Sequence, residues 1–205
     1  MKIEISHRFI ADVPSLLAVL ASRELVGARA KAVADAVHQD IDALPDYAFQ
    51  QVTDTFGRIE KTVFSFVLPA SALPAQARKI LARGAQVQVI SRFAPAALAD
   101  QNALHNSAQT AADFQTDERL GTTNSAQIAF DVQIQGAPVK LSGQALIREL
   151  DSTANDATNT ETELTYRGEL QVTLPFIGKI LESKAQTALP KIFQRDCALI
   201  TDLLK

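Results

Sequence analysis

Apolar and polar residues alternate from the start of the chain. In "KIEISHRFI", Ile3, Ile5, His7 and Phe9 share one face, while Lys2, Glu4, Ser6 and Arg8 share the other. That period of two predicts a half-buried strand. The spacing then turns helical in "ADVPSLLAVLAS", with Asp12 as N-cap and Pro14 in the first turn, where its missing N–H costs nothing. A second helical stretch, near 22–37, carries Leu25, Arg29, Val33 and Val37 at intervals of four, with Pro45 as a firm stop beyond it.

Strand patterning resumes in "YAFQQVTDTFGRIEKTVFSFVL", two strands about Gly57. The second sets Phe64, Phe66 and Leu68 on one face, opposite Lys61, Val63 and Ser65. "LPAQARKILARG" fits a short helix stopped at Gly84, and "QVQVISRF" returns to the sheet. Residues 95–123 are rich in Ala, Gln, Asn and Thr, and predict a long excursion, either a loop or a short helix over the sheet. "SAQIAFDVQIQ" and "PVKLSGQALIREL" are strands joined at Gly136-Ala137, and "DSTANDATNTE" is a polar turn.

The last strand, "TELTYRGELQVTL", places Leu164, Tyr166, Leu170, Val172 and Leu174 together. Gly168 interrupts that face and predicts a bend or the close approach of another group. From 176 onward one amphipathic helix is expected, with Leu181, Ala185, Ala188, Leu189, Ile192, Leu199, Ile200 and Leu203 as its buried stripe. Pro190 is expected to kink or split it. Strands that follow one another without regular intervening helices make the fold α+β. The expected architecture is a curved antiparallel sheet wrapped around a long C-terminal helix, in a single domain over 1–205.

Composition narrows the function. The chain's 20 basic and 23 acidic residues nearly balance, with no Lys/Arg run, so nothing points to nucleic acid. No segment reaches the length of a membrane span, and Cys197 has no cysteine to pair with, so a cytoplasmic location is expected. Gly178-Lys179 is not the end of a phosphate loop, because position 173 is Thr and Ile180 replaces the required hydroxyl residue. It is better read as the joint between strand and helix. The acidic cluster Asp35, His38, Asp40, Asp42 and Asp46 lacks the glycine of a calcium loop and reads as a solvated helix end. No catalytic, cofactor or metal motif stands out.

Three stretches carry a family resemblance: "SRELVGARAKAVA", "LPASALPAQARKILARGAQVQVISRF" and, most specifically, "GELQVTLPFIGKILESKA". Together with the element order they resemble the START-like (SRPBCC, helix-grip) superfamily, and within it a bacterial family of unknown function. The resemblance covers nearly the whole chain outside 95–123. It implies an apolar pocket between sheet and terminal helix that holds lipids or other apolar molecules, and it carries over no catalytic residues.

The residues expected to face such a pocket are His7, Phe9, Phe49, Phe64, Phe66, Phe130, Tyr166 and Asp196. Core filling is the alternative role for the aromatics. Asp196 lies within the expected apolar stripe of the terminal helix and needs a partner there, with His7 and Tyr166 the candidates. The alternative is a backbone-bonded core histidine, with Asp196 turned to solvent by the Pro190 kink. Three functions remain open: a non-catalytic binding module for an apolar small molecule or lipid, a cyclase- or hydrolase-type enzyme, and a protein-interaction domain with a filled core. A pocket of about 300 Å³ or more favours the first two over the third, convergence of its polar groups favours the enzyme, and an exposed apolar patch favours the interaction domain.

Overall fold

The structure, a computed structural model, describes residues 1–36, 48–70, 78, 81–94, 125–137, 139–150, 160–173 and 178–205. The alternating stretches form β1 (Lys2–Ile10), β2 (Ala48–Thr53), β3 (Ile59–Leu68), β4 (Ala85–Phe93), β5 (Ser125–Ile134), β6 (Val139–Leu150) and β7 (Glu161–Val172). Helices α1 (Val13–Leu20) and α2 (Arg23–Ala36) follow β1, and α3 (Gly178–Leu203) ends the chain. The 95–123 excursion, the metal-like cluster beyond Asp35, the polar turn at 151–159 and most of the helix expected before Gly84 lie outside the described residues.

All seven strands join one antiparallel sheet in the order β1-β7-β6-β5-β4-β3-β2. The first strand therefore lies beside the last, and β2, which follows two helices, closes the opposite edge. The α+β expectation holds: a curved antiparallel sheet with a long terminal helix packed against its concave face.

Local chemistry explains the helix starts. The Asp12 carboxylate accepts the Ser15 N–H at 2.7 Å and caps α1, with Pro in its first turn. The Ser22 hydroxyl accepts the Leu25 N–H at 3.0 Å and does the same for α2. At the β2–β3 hairpin the Asp54 carboxylate accepts from the N–H groups of Phe56 and Arg58, and Gly57 takes φ +78°, the left-handed value that glycine adopts without strain.

Registered pairing places residues from different strands in rows across the concave face. One row runs Phe93, Ile128, Ala145, Tyr166 and Ile5. The next runs Gln51, Thr62, Ser91, Phe130, Gly143, Gly168 and Ile3. The convex face carries charge instead, with Arg8 and Arg148 on Glu163, Arg167 on Glu4, and Arg92 and Lys140 on Asp131. Among the described residues that face is a ladder of ion pairs and offers little of the apolar patch an interaction surface would need.

The core divides in two. The larger cluster joins Phe9, Val13, Leu16, Leu20 and Leu25 to Ile128, Ile147, Leu164, Cys197 and Ile200. The smaller joins Val26 and Ala30 of α2 to Phe64, with Phe49, Phe66 and Val89 against it.

Helix α3 runs through Pro190 as one continuous helix, so of the two expected outcomes, a kink or a split, the split does not occur. Pro190 is exposed, so the carbonyl its missing N–H leaves free is open to water. Its buried side also differs from the expected stripe. Ile192 is 61% exposed, Leu203 38%, and Ala188 is exposed. The covered residues include Ala185, Leu189, Phe193, Asp196, Cys197, Leu199 and Ile200, four of which belong to the expected stripe. Hydropathy alone favours Ile192, but the three-and-four spacing that continues from Leu189 to Ile200 passes through Phe193, Asp196 and Cys197. No described helix is long and apolar enough to cross a membrane.

Candidate functional site

Between the two apolar clusters the concave face changes character. Thr62 and Ser91 are small and polar, Gly143 and Gly168 have no side chain, and only Phe130 is bulky in the middle of that row. The glycines are required by backbone contact. A Cβ on Gly143 would lie 2.1 Å from the Arg167 carbonyl oxygen and 2.5 Å from the Gly168 Cα. A Cβ on Gly168 would lie 2.9 Å from the Ser142 carbonyl oxygen and 3.3 Å from Phe130 Cζ. The close approach expected at Gly168 is therefore present, made by the neighbouring strand and the Phe130 ring.

Three aromatic rings border this row. Phe130 meets Tyr166 edge-on at 5.6 Å, and Tyr166 meets Phe193 of α3 edge-on at 5.4 Å. Beside them Arg29 of α2 pairs with Asp196 of α3. Its Nε donates to Oδ1 and its Nη2 to Oδ2, each at 2.6 Å, in a two-pronged contact that only a guanidinium can make. The side chains are 28% and 18% exposed. The pair thus joins α2 to α3.

Burial opposes the charge on Arg29, but the hydrogen bonds to Asp196 and its opposite charge more than offset this and hold the guanidinium protonated. Burial pushes the Tyr166 phenol up to about 12; Arg29 pulls it down and the Asp196 carboxylate adds to the rise. Burial likewise pushes the Cys197 thiol up to about 12, with Asp196 contributing.

These shifts set a pH dependence. From ordinary values of 9.0 for the thiol and 10.0 for the phenol, both groups ionise first in the unfolded chain. Below those values both states hold the protons and the stabilisation is complete. As pH rises towards about 12 the unfolded state releases protons that the folded state keeps, so stability falls. Thermal melts from about pH 8 to about pH 11 should show this decline, and Cys197→Ala should flatten its first part. An identical slope in the variant would remove Cys197 from the account.

The expected site residues are distributed as follows. Phe130 and Tyr166 border the central row, and Asp196 meets it from the helix. Phe9 belongs to the larger cluster, and Phe49, Phe64 and Phe66 to the smaller. His7 shares the Phe9 face but is exposed on the edge strand, its ring 4.8 Å from that of Phe9. The partner of Asp196 is Arg29 and not His7, because α2, which is absent from any argument confined to β1 and α3, passes directly over that turn. Arg29 and Phe193 were missed. The available signal was a cation in the otherwise apolar series Leu25, Val33 and Val37.

Two hollows on the outer surface are lined by described residues. One, of about 400 Å³, lies along exposed turns of α3 at Ser183, Lys184, Thr187, Ala188 and Lys191. The other, of about 370 Å³, lies at the β5–β6 end of the sheet. Neither lies between the sheet and the buried side of α3.

A seven-stranded antiparallel sheet gripping a long terminal helix is a START-like, helix-grip fold. The family model described as "Protein of unknown function (DUF2505)" matches residues 4–204, and the chain belongs to that family. No curated protein matches it in sequence.

Among solved structures it is similar to a START superfamily protein from Mycobacterium smegmatis, at 10% identity and a TM-score of 0.44, over 100% of this chain and 99% of that one. It is also similar to human STARD10, at 10% identity and a TM-score of 0.49, over 97% of this chain and 62% of that one. Truncated norcoclaurine synthase from Thalictrum flavum is similar at 12% identity and a TM-score of 0.43, over 100% and 92%.

Proposed function

We propose that the chain binds an apolar small molecule or lipid between the concave face of the sheet and α3, without catalysing a reaction on it. The observation that carries this reading is the middle row of the sheet. Thr62, Ser91, Gly143 and Gly168 give that row small side chains or none, and Phe130, Tyr166 and Phe193 supply aromatic surface in and beside it. Hydrocarbon placed against such walls gains about 25 cal/mol per Å² removed from water. The Tyr166 hydroxyl and the Arg29–Asp196 pair supply the few polar contacts that orient a ligand in an apolar site.

Carriage is favoured over chemistry by the state of the polar groups. The Cys197 thiol is held protonated, which is the opposite of an activated nucleophile. Asp196 has both oxygens engaged by Arg29, and His7 lies apart from them on the edge strand. No nucleophile stands beside a base among these residues.

Native mass spectrometry of the protein purified from its own host, with organic extraction of what is bound, tests the proposal. A reproducible apolar adduct is expected. It should be lost in Ser91→Phe, which fills the middle row, while circular dichroism stays that of the parent. Protein that remains empty after exposure to a host lipid extract would rule against binding.

A further inference from the structure

We propose that the outward face of the middle of α3, residues 183–195, docks onto an anionic lipid bilayer. The chain as a whole carries a formal charge of −3, yet "SKAQTALPKIFQR", residues 183–195, contains Lys184, Lys191 and Arg195 and no carboxylate. All three cations are exposed. None forms an ion pair among the described residues. The aspartates further along the helix are engaged elsewhere, Asp196 by Arg29 and Asp202 by Lys205.

The pattern is not one the helix needs for itself. A solvated helix face gains from Glu and Lys four residues apart, whereas Lys191 and Arg195 set like charges at that spacing, which is unfavourable. Ile192 lies beside them and is 61% exposed, and Ala188, one turn earlier, is exposed as well. Apolar residues set among cations, and not in a separate patch, suit a surface whose charged headgroups and hydrocarbon lie within one side-chain length.

The hollow of about 400 Å³ lies on the same turns, lined by Ser183, Lys184, Thr187, Ala188 and Lys191, with the Thr187 hydroxyl donating to the Ser183 carbonyl at 3.4 Å and the two lysines carrying the charge. The lysines are donors suited to a phosphate headgroup. Three cations over about 17 Å of helix are too few for a nucleic-acid track, and no exposed ring on these turns would stack on a base. The inference does not rest on the proposed cargo, since an empty protein would dock through the same surface.

The test is co-sedimentation of the full chain with vesicles of phosphatidylcholine alone or mixed with phosphatidylglycerol. Binding to the mixed vesicles only, weakening as salt rises, is expected. Each cation removed should weaken partitioning about fivefold, so Lys184→Ala/Lys191→Ala/Arg195→Ala should lose about a hundredfold. Arg8→Ala/Arg148→Ala/Arg167→Ala removes the same charge from the convex sheet face and should retain binding. Ile192→Asp, which leaves the cations in place, should also bind less. Failure to bind anionic vesicles, equal binding to neutral ones, or an equal loss in the two triple variants would overturn the proposal. So would complete displacement by inorganic phosphate at matched ionic strength.

Discussion

Asp196→Ala is expected to destabilise the protein by about 2–3 kcal/mol, and Arg29→Ala by a similar amount. Removing one member of a buried pair leaves the other charge without a partner in a site poorly reached by water, at a typical cost of about 3–5 kcal/mol. The partial exposure of both side chains places this pair at or below the low end of that range. A chain of this size should lose roughly 5–10 °C of melting temperature. The more informative variant is the double replacement Arg29→Met/Asp196→Leu. It removes both charges and keeps apolar bulk between α2 and α3, so it should recover most of the loss. Chemical denaturation of all four proteins measures the coupling. A double variant as unstable as the sum of the singles would show that the two residues do not act as a unit.

Gly143→Ala is expected to be worse, costing more than about 3 kcal/mol and sharply reducing soluble protein. One methyl group rarely matters so much. Here its nearest neighbours are backbone atoms, 2.1 and 2.5 Å away on the adjoining strand, which no rotamer change can move. Overpacking typically costs about 1–3 kcal/mol where side chains can yield, and more where they cannot. The strain falls at the middle of the twelve-residue pairing between β6 and β7. Gly168→Ala is the natural comparison, because there the contacts are longer and one of them is the Phe130 ring. It should cost about 1–2 kcal/mol. Equal melting temperatures for the two variants would mean that the strands separate easily, and the backbone account would fail.

Much of the fold could be read along the chain because its elements are defined by near neighbours. The alternation in "KIEISHRFI", the Asp12 cap before Pro14 and the turn at Gly57 each depend on a few consecutive residues. The strand before Gly178 and the helix after it were legible for the same reason. The face of α3 was harder. Hydropathy assigns Ile192 to the core, while the neighbouring elements cover Phe193 and Asp196 and leave Ile192 in water. A helix has one rotation about its axis, and packing selects it from all contacts at once.

The candidate site was legible only in pieces. Tyr166, Phe130 and Asp196 stood out one by one, as an aromatic pair on one face and a carboxylate in an apolar series. Arg29 lies 167 residues from Asp196, and no local pattern links them. Gly143 was not singled out at all, since a glycine in a strand shows its purpose only once the partner strand is in register. The sequence by itself determined the elements, their order and the α+β class, because these follow from spacing and local hydrogen bonding. Which residues meet across the concave face, and which side of α3 faces outward, was decided by the tertiary structure, where sheet register and helix rotation bring distant groups within bonding distance.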